Sequence, residues 1–568
     1  MCQKRLPWTF DPDIIIIFYS RYTKGSCAMN TVSEKYSSFI ELCKKEGNGF
    51  IGKSKHWGPV FLVNMIVAFV VYGLLMNHQL VNQLDGMWHG SVSYASTHEL
   101  SIGRWFWRFL DRFRKYLSPD PVTSVISLIF FTVSFILILD IFEVRSRLAA
   151  YLSSLLFTVN ISVLASLSYR YMSPTFAVSC FLAVLSAYII IKFKNPFFVC
   201  TAAPLAISLM LGLYQADLGC ICLVILLYIS LRLYRNDISL KGLGLFLLKT
   251  AVVILLGFLL YYILLRVNLR YFEVEMDSYN GADSYGPIGA IMNLPGSFPH
   301  TYADFIDYYR NHYIRSNIFS NRLYILFYLV LGIHFAKGAI TLFKKNKVGA
   351  ILFALTFLLI PPACNAVLMV AYNSFTSIQM TIPVSLCIPV LICLASEIPV
   401  VENWAGALYR VAATALGCLL LYGNYLMTIY DQQAMYMGMN STKELASEIS
   451  AALQMYNLYH PYYKYVFVGS PADSPLFAKN FVYEEANEYA LIGTWDPEDT
   501  RWVVQSWQGL WTYEMGINLN VADDDKLEEA LADETVRSMP VFPEYGSCAL
   551  INDVVVVKLS DNYTPVED

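Results

Sequence analysis

Long apolar runs separated by short polar turns fill the chain from about residue 59 to residue 428. Eleven stand out, at residues 59–77, 121–142, 148–167, 175–191, 197–213, 215–231, 245–265, 322–343, 348–370, 378–396 and 404–428. A helix needs about 20 apolar residues to cross the hydrocarbon core of a bilayer, and these runs reach or approach that length. The pattern predicts an all-α polytopic membrane protein of about 11 transmembrane helices.

The turns carry an alternating charge signal. Lys53 and Lys55 precede the first run, and Arg145 and Arg147 follow the second. Lys192 and Lys194 follow the fourth, Arg232, Arg235 and Lys241 the sixth, and Lys344, Lys345 and Lys347 the eighth. Basic residues in short loops mark the cytoplasmic side, so the N-terminus is expected inside. With eleven crossings the C-terminal tail lies outside, although the loop 397–403 has no basic residue and the last two crossings rest on counting.

Past residue 430 the pattern changes. Lys443–Tyr456 has helical spacing, Tyr465–Val468 reads as a strand ended by Gly469, and Cys548–Ile551 with Val554–Leu559 form a hairpin about Asn552-Asp553. The expected division is a cytoplasmic lead (1–56), a membrane domain (57–429) with outer loops 78–120 and 266–321, and a small extracytoplasmic α/β domain (430–568). Ile14–Ile17 is too short an apolar core for a signal peptide. Residues 1–28 fit poorly with the chain after them and read as a misassigned start, with Met29 opening a polar lead.

Composition sharpens the membrane reading. Of 568 residues, 56% are hydrophobic and 15% charged, with mean hydropathy +0.47, whereas a soluble chain carries about 25% charged residues. Residues 1–429 hold 33 Lys+Arg and 21 Asp+Glu, and residues 430–568 hold 7 and 23. A basic membrane part suits anionic lipid head groups, and the acidic tail should stand off that surface. Nucleic acid is not an expected partner. The twelve cysteines form no CxxC pair, and neither cysteine nor histidine spacing outlines a metal site.

The polar residues at the outer boundary are the candidates for chemistry. Asp85 and His89 follow the first run. A carboxylate placed there can serve as a base for a hydroxyl, and nearby arginines can hold a phosphate, so one acid plus arginines suffices for group transfer from a phosphate. Position alone favours Asp85 as a helix cap and His89 as a hydrogen-bonded interfacial histidine. The spacing over residues 103–117 predicts an amphipathic helix. Phe106, Phe109, Leu110, Phe113 and Leu117 lie on one face, and Arg104, Arg108, Arg112 and Lys115 on the other. Most of these arginines suit an interfacial anchor, with one or two left for a donor phosphate.

Tyr169 and Arg170 end the third run, where an arginine either faces a phosphate or snorkels to the interface. Tyr214, Gln215 and Asp217 stand between two runs with no polar stretch around them, so Asp217 either lines a cavity or pairs with an arginine. The second loop, rich in tyrosine and acid, offers Tyr309, Arg310 and Arg315 to an acceptor sugar. An interfacial tyrosine belt would have the same composition.

Leu84-Asp85-Gly86, Gly103-Arg104-Trp105, Tyr214-Gln215-Ala216 and the tail segment Tyr465–Gly469 together make residues 57–560 resemble the bacterial serotype-converting (Gtr-type) glucosyltransferases. That family is similar in layout to polytopic (GT-C-like) glycosyltransferases that use polyprenyl-phosphate sugars. The resemblance implies a hexose, glucose first, moved with inversion from a polyprenyl-phosphate donor to a surface glycan such as an O-antigen, at the outer face of the bacterial inner membrane. It implies Asp85 as the base; the reading of the residues themselves adds Arg104, Arg108 and Arg170 as candidates for the donor phosphate and His89, Tyr169, Tyr214, Gln215 and Asp217 as candidates around the cavity. The class often has two adjacent acids in the first loop, whereas Gly86 follows Asp85 here. No cofactor is called for, and a divalent cation is left open. Two rivals fit the same pattern: a flippase for a lipid-linked saccharide, which wants repeated halves that the sequence lacks, and a noncatalytic envelope-assembly protein.

Overall fold

The computed structural model describes residues 56–82, 95–277, 287–312, 321–371, 376–400, 403–470, 474–477, 481, 482, 486 and 500–562. Most of them are helical, and each of the eleven apolar runs coincides with a helix or with successive short helices. Seven helices among the described residues are long and apolar enough to cross a membrane alone. They are Val122–Phe142, Ser173–Lys192, Gln215–Arg235, Leu240–Phe272, Asn321–Phe343, Ile378–Ser396 and Trp404–Met455. Arg147–Thr158 and Ile161–Ser168, bent by 44°, make an eighth if counted as one span.

The other three runs fold as shorter apolar helices, His56–Val71, Pro196–Leu211 and Lys347–Leu358. The reasons are local. The first breaks before a short helix, Gly73–His78. The second stops at Gly212, and the third meets the Pro361-Pro362 pair.

Asparagines start many of these helices. The side-chain oxygen of Asn160 accepts from the Ser162 amide, that of Asn195 from Phe197, that of Asn346 from Gly349 and that of Asn403 from Gly406. Each satisfies a donor that the first helical turn leaves unpaired. Ile382–Ser396 is buried along most of its length. Leu240–Phe272 instead exposes Leu248, Leu255 and Leu259 by more than half. A row of exposed leucines of that kind is tolerable against lipid tails and costly against water.

The helix ends sort into two groups. At one end Glu143 pairs with Lys192 at 3.3 Å and with Arg235 at 3.0 Å, Arg235 reaches Glu397 at 2.9 Å, and Asn346 donates to Asn236. These are the turns that carry the basic residues of the sequence pattern. Here burial would raise the Glu143 carboxyl, but the bonds and charges of Arg235 and Lys192 outweigh it and hold it below the usual carboxylate range. A cavity of about 370 Å³ also opens at this end, between Leu152, His334, Ile398 and Arg410.

Two expected loops are more regular than their composition suggests. Within 266–321, Leu240–Phe272 continues to residue 272, Pro287–Asp307 is helical, and a π-helical turn, Tyr308–His312, comes next. Tyr308 then enters the bundle beside Ser162 and Asn160. Within 103–117 the helix is only Trp107–Phe113. Gly103 lies at φ +89°, and Lys115 and Tyr116 are left-handed at 55° and 63°, so the expected helix is cut at both ends. Trp105 and Trp107 are buried, whereas Phe113 is 92% exposed. The apolar stripe of the sequence is therefore not the face that packs on the protein.

Trp404–Met455 is a single helix of 52 residues, and the boundary expected at 430 falls inside it. At about 1.5 Å per residue it is about 78 Å long, against about 30 Å of hydrocarbon. Beyond it a three-stranded sheet forms, in the order β1-β3-β2, from β1 (Lys464–Val468), β2 (Cys548–Ile551) and β3 (Val554–Lys558). β1 and β3 run parallel, and β2 is antiparallel to β3. Asn552 and Asp553, at φ 44° and 65°, close the two-residue hairpin as the sequence predicted. Val466, Val468, Val554 and Val556 pack on Leu527, Leu531 and Val536, giving the sheet a core of its own. On β1, Phe467 stacks on Trp507, with centroids 4.1 Å apart.

Candidate functional site

The polar candidates gather at the opposite ends of the helices that meet at Glu143. Val122–Phe142 begins there behind Asp120, Ser173–Lys192 follows Arg170, and Gln215–Arg235 opens on Gln215. Asn82 binds this end through Ser168, its amide donating to the Ser168 carbonyl at 3.2 Å and its side chain to the hydroxyl at 3.0 Å. Asp85 and His89 come just after Asn82 in sequence and lie outside the described residues, as does Arg315.

Two segments that are far apart in sequence lock together. The Phe106 amide donates to the Gly212 carbonyl at 2.8 Å, and the Gln215 side-chain amide donates to the Ile102 carbonyl at 3.1 Å. Tyr261 donates to the Gly103 carbonyl at 3.1 Å. A Cβ on Gly103 would run into the Tyr261 hydroxyl and one on Gly212 into the Trp105 indole, so both close approaches require glycine. The Arg104 guanidinium lies over the Tyr214 ring at 5.1 Å, and Arg108 over Phe272 at 3.9 Å. Edge contacts continue from Tyr214 to Phe176 and from Phe176 to Tyr169, whose hydroxyl receives Gln379 at 3.4 Å.

Nitrogen atoms at this end stay unsatisfied. Arg104 Nε, Arg108 Nη1 and Arg170 Nε are buried with no hydrogen-bond partner among the described residues. Burial first, and then the charge of Arg112, pull the Arg108 guanidinium below its ordinary value. Arg170 is 3% exposed. Its Nη1 meets Gln79 at 3.4 Å and its Nη2 meets Glu514 at 3.3 Å, and Glu514 also takes Lys443 at 2.9 Å. Arg170 is held inside the protein by a glutamate from beyond β1 in the chain.

Asp217 is 1% exposed, and its Oδ2 has no partner among the described residues. The arginine pairing open to it from the sequence is not formed there. Tyr309 is buried against Tyr308, Tyr324 and Tyr328 and donates to the Val384 carbonyl at 2.9 Å, so it packs in the bundle rather than facing an acceptor. Its neighbour Arg310 is exposed.

Three acids were missed by sequence reasoning. Asp111 accepts from the Ala95 amide, Trp107 Nε1 and Arg114, and Arg114 also donates to the Tyr171 carbonyl at 2.6 Å. Burial raises the Asp111 carboxyl, and Arg114 opposes the shift. Its signal was legible: it is the one acid within 103–117, with Arg114 three residues on. Asp120 caps Val122–Phe142 by accepting from Thr123 and Ser124 through Oδ1, while its Oδ2 is buried and unbonded among the described residues. Burial raises this carboxyl too, against the bonds of Ser124 and Thr123 and the charge of Arg170. Glu514 belongs to a distant part of the chain, and no local pattern announces it.

Among the described residues, no three His, Cys, Asp or Glu side chains converge as a metal site would require. The arrangement offers cations and buried donors, and that suits an anionic group. A family model described as Glucosyl transferase GtrII matches residues 89–394. No curated protein and no solved structure matches the chain. The matched span contains both interlocking segments and ends before the sheet.

Proposed function

The chain belongs to the glucosyl transferase GtrII family, and from that premise we propose that it moves a hexose, glucose first, from a polyprenyl-phosphate donor to a surface glycan at the outer face of the bacterial inner membrane. The turns joined by Glu143 and Arg235 then face the cytoplasm, and the tail with its sheet stands outside. Asp85 takes the proton of an acceptor hydroxyl, and the oxygen attacks the anomeric carbon from the face opposite the phosphate. The bond from that carbon to the phosphate oxygen breaks, and the polyprenyl phosphate leaves as an anion. Configuration inverts. Arg104, Arg108 and Arg170 stabilise the departing charge, while His89, Tyr169, Tyr214, Gln215 and Asp217 shape the cavity. Arg310 and Arg315 meet the acceptor, and Tyr309 supports them from inside the bundle.

One observation carries this reading. Three arginines at one end of the helices each hold a buried nitrogen with no acceptor among the described residues. A buried donor without an acceptor costs about 1–3 kcal/mol, and more when it is charged. An anionic ligand at this end would remove that cost. The test is the mass of the surface glycan from cells with and without the protein, followed by the Asp85→Asn variant. A gain of one hexose that Asp85→Asn abolishes supports the assignment. An unchanged glycan rejects it.

A further inference from the structure

Arg170 and Glu514 come from distant parts of the chain, yet their contact is poorly made for a permanent strut. Glutamate and guanidinium meet best side-on, with two parallel short bonds. Here Arg170 gives Glu514 one contact of 3.3 Å from Nη2, gives Gln79 one of 3.4 Å from Nη1, and leaves Nε buried and unbonded among the described residues. Both contacts are longer than an ordinary N–H···O bond. The second oxygen of Glu514 lies 2.9 Å from Lys443 Nζ, so one carboxylate bridges two cations. Glu514 ends a π-helical turn, Leu510–Glu514, and Gly516 lies just beyond it at φ +64°. Such turns are rare and concentrate at functional positions.

We propose that Arg170 and Lys443 form a seat for a phosphate group, and that Glu514 is its resting occupant, displaced when a lipid-borne phosphate enters. The ligand class rests on the glycosyl-transfer reading above; the seat itself rests on the contacts of these three residues. A phosphate would use Arg170 Nε and Nη2 together and take Lys443 with a further oxygen. Glu514, 13% exposed at its side chain, swings towards solvent on the π turn. Asp120, another carboxyl whose charge reaches Arg170 among the described residues, stays with its bonds to Thr123 and Ser124. Exchanging one anion for another leaves neither cation bare at any stage, whereas an empty seat would leave the buried Arg170 without its counter-charge.

The test uses the full chain purified in a non-ionic detergent, with dodecyl monophosphate as the probe and dodecanol and inorganic phosphate as controls. Binding is read by calorimetry, with no sugar and no acceptor present, so a failure of hexosyl transfer leaves this result standing. Glu514→Gln removes the competitor and should tighten dodecyl phosphate by about tenfold, while Lys443→Met should weaken it by a similar factor. Arg170→Met strands a buried carboxylate, so it is paired with Glu514→Gln, and that double variant should lose the tightening. Inorganic phosphate should compete weakly and dodecanol not at all. Unchanged or weaker binding in Glu514→Gln that still purifies as folded protein would mean that Glu514 is only a clasp. Equal affinity for inorganic and dodecyl phosphate would overturn the lipid assignment.

Discussion

The Arg104 guanidinium lies 5.1 Å from the centre of the Tyr214 ring, joining residues 110 positions apart in the chain. The contact aims a cation at the polar end of the bundle while leaving its Nε without an acceptor among the described residues. A cation over an aromatic face is worth about 0.5–2 kcal/mol depending on burial. Arg104→Met should therefore cost little stability, yet lower the rate of hexose transfer by about tenfold or more if the guanidinium meets the phosphate. Tyr214→Leu should raise KM more than it lowers kcat. Steady-state kinetics on a polyprenyl-phosphate hexose separates the two. Equal, small effects on both constants from both variants would remove Arg104 from donor binding.

Gly103 sits at φ +89°, with the Tyr261 hydroxyl and the Gln215 amide where a side chain would begin. Gly103→Ala is expected to destabilise the protein by about 1–3 kcal/mol, the usual cost of forcing an L-residue into such backbone. Thermal inactivation in detergent measures it. Tyr261→Phe with Gly103→Ala should recover part of the loss, because it removes the atom nearest the new methyl group.

The carboxyl of Glu514 gives a pH signature. Burial would raise it, but the bond from Lys443 and the charge of Arg170 outweigh burial and hold it below its ordinary value of 4.5. A folded-state value below the unfolded one contributes stability that is complete above about pH 4.5 and is lost as pH falls through the lowered value. The thermal midpoint of the wild type should fall more steeply with acid in that window than that of Glu514→Gln. Parallel acid profiles would show that the three charges do not stabilise the fold.

Asp217 is buried, and among the described residues no cation pairs with it. Asp217→Asn should hold or raise the thermal midpoint, since an amide is cheaper to bury than a carboxylate. If Asp217 shapes the substrate cavity, the same variant loses transfer. A stable variant with full activity would make Asp217 a passive core residue.

Much of the fold was legible because bilayer helices announce themselves by length and apolarity alone. All eleven runs became helices, and the hairpin at Asn552-Asp553 came from turn chemistry. The segment 103–117 misled because a 3.6-residue apolar rhythm says nothing about a glycine at positive φ or left-handed residues at its far end. Tyrosine content likewise suggested an open loop around 308–309. Those rings instead fill the bundle, bonded to Ser162 and to the Val384 carbonyl. Gly103–Trp105 and Tyr214–Ala216 could each be seen in sequence, but their meeting through Gln215 and Ile102 could not. Glu514 illustrates the same limit: its partners, Lys443 and Arg170, are 71 and 344 residues away.

Because Trp404–Met455 has no break, Lys443 rides on the same rod as the exposed apolar Leu408 and Val411. The sheet follows after a short non-helical link, residues 456–463. If the foot of that rod lies in a bilayer, as proposed above, a change in bilayer thickness or helix tilt would move Lys443 as a lever arm moves its tip, and membrane composition would then have a mechanical grip on the Glu514 contact.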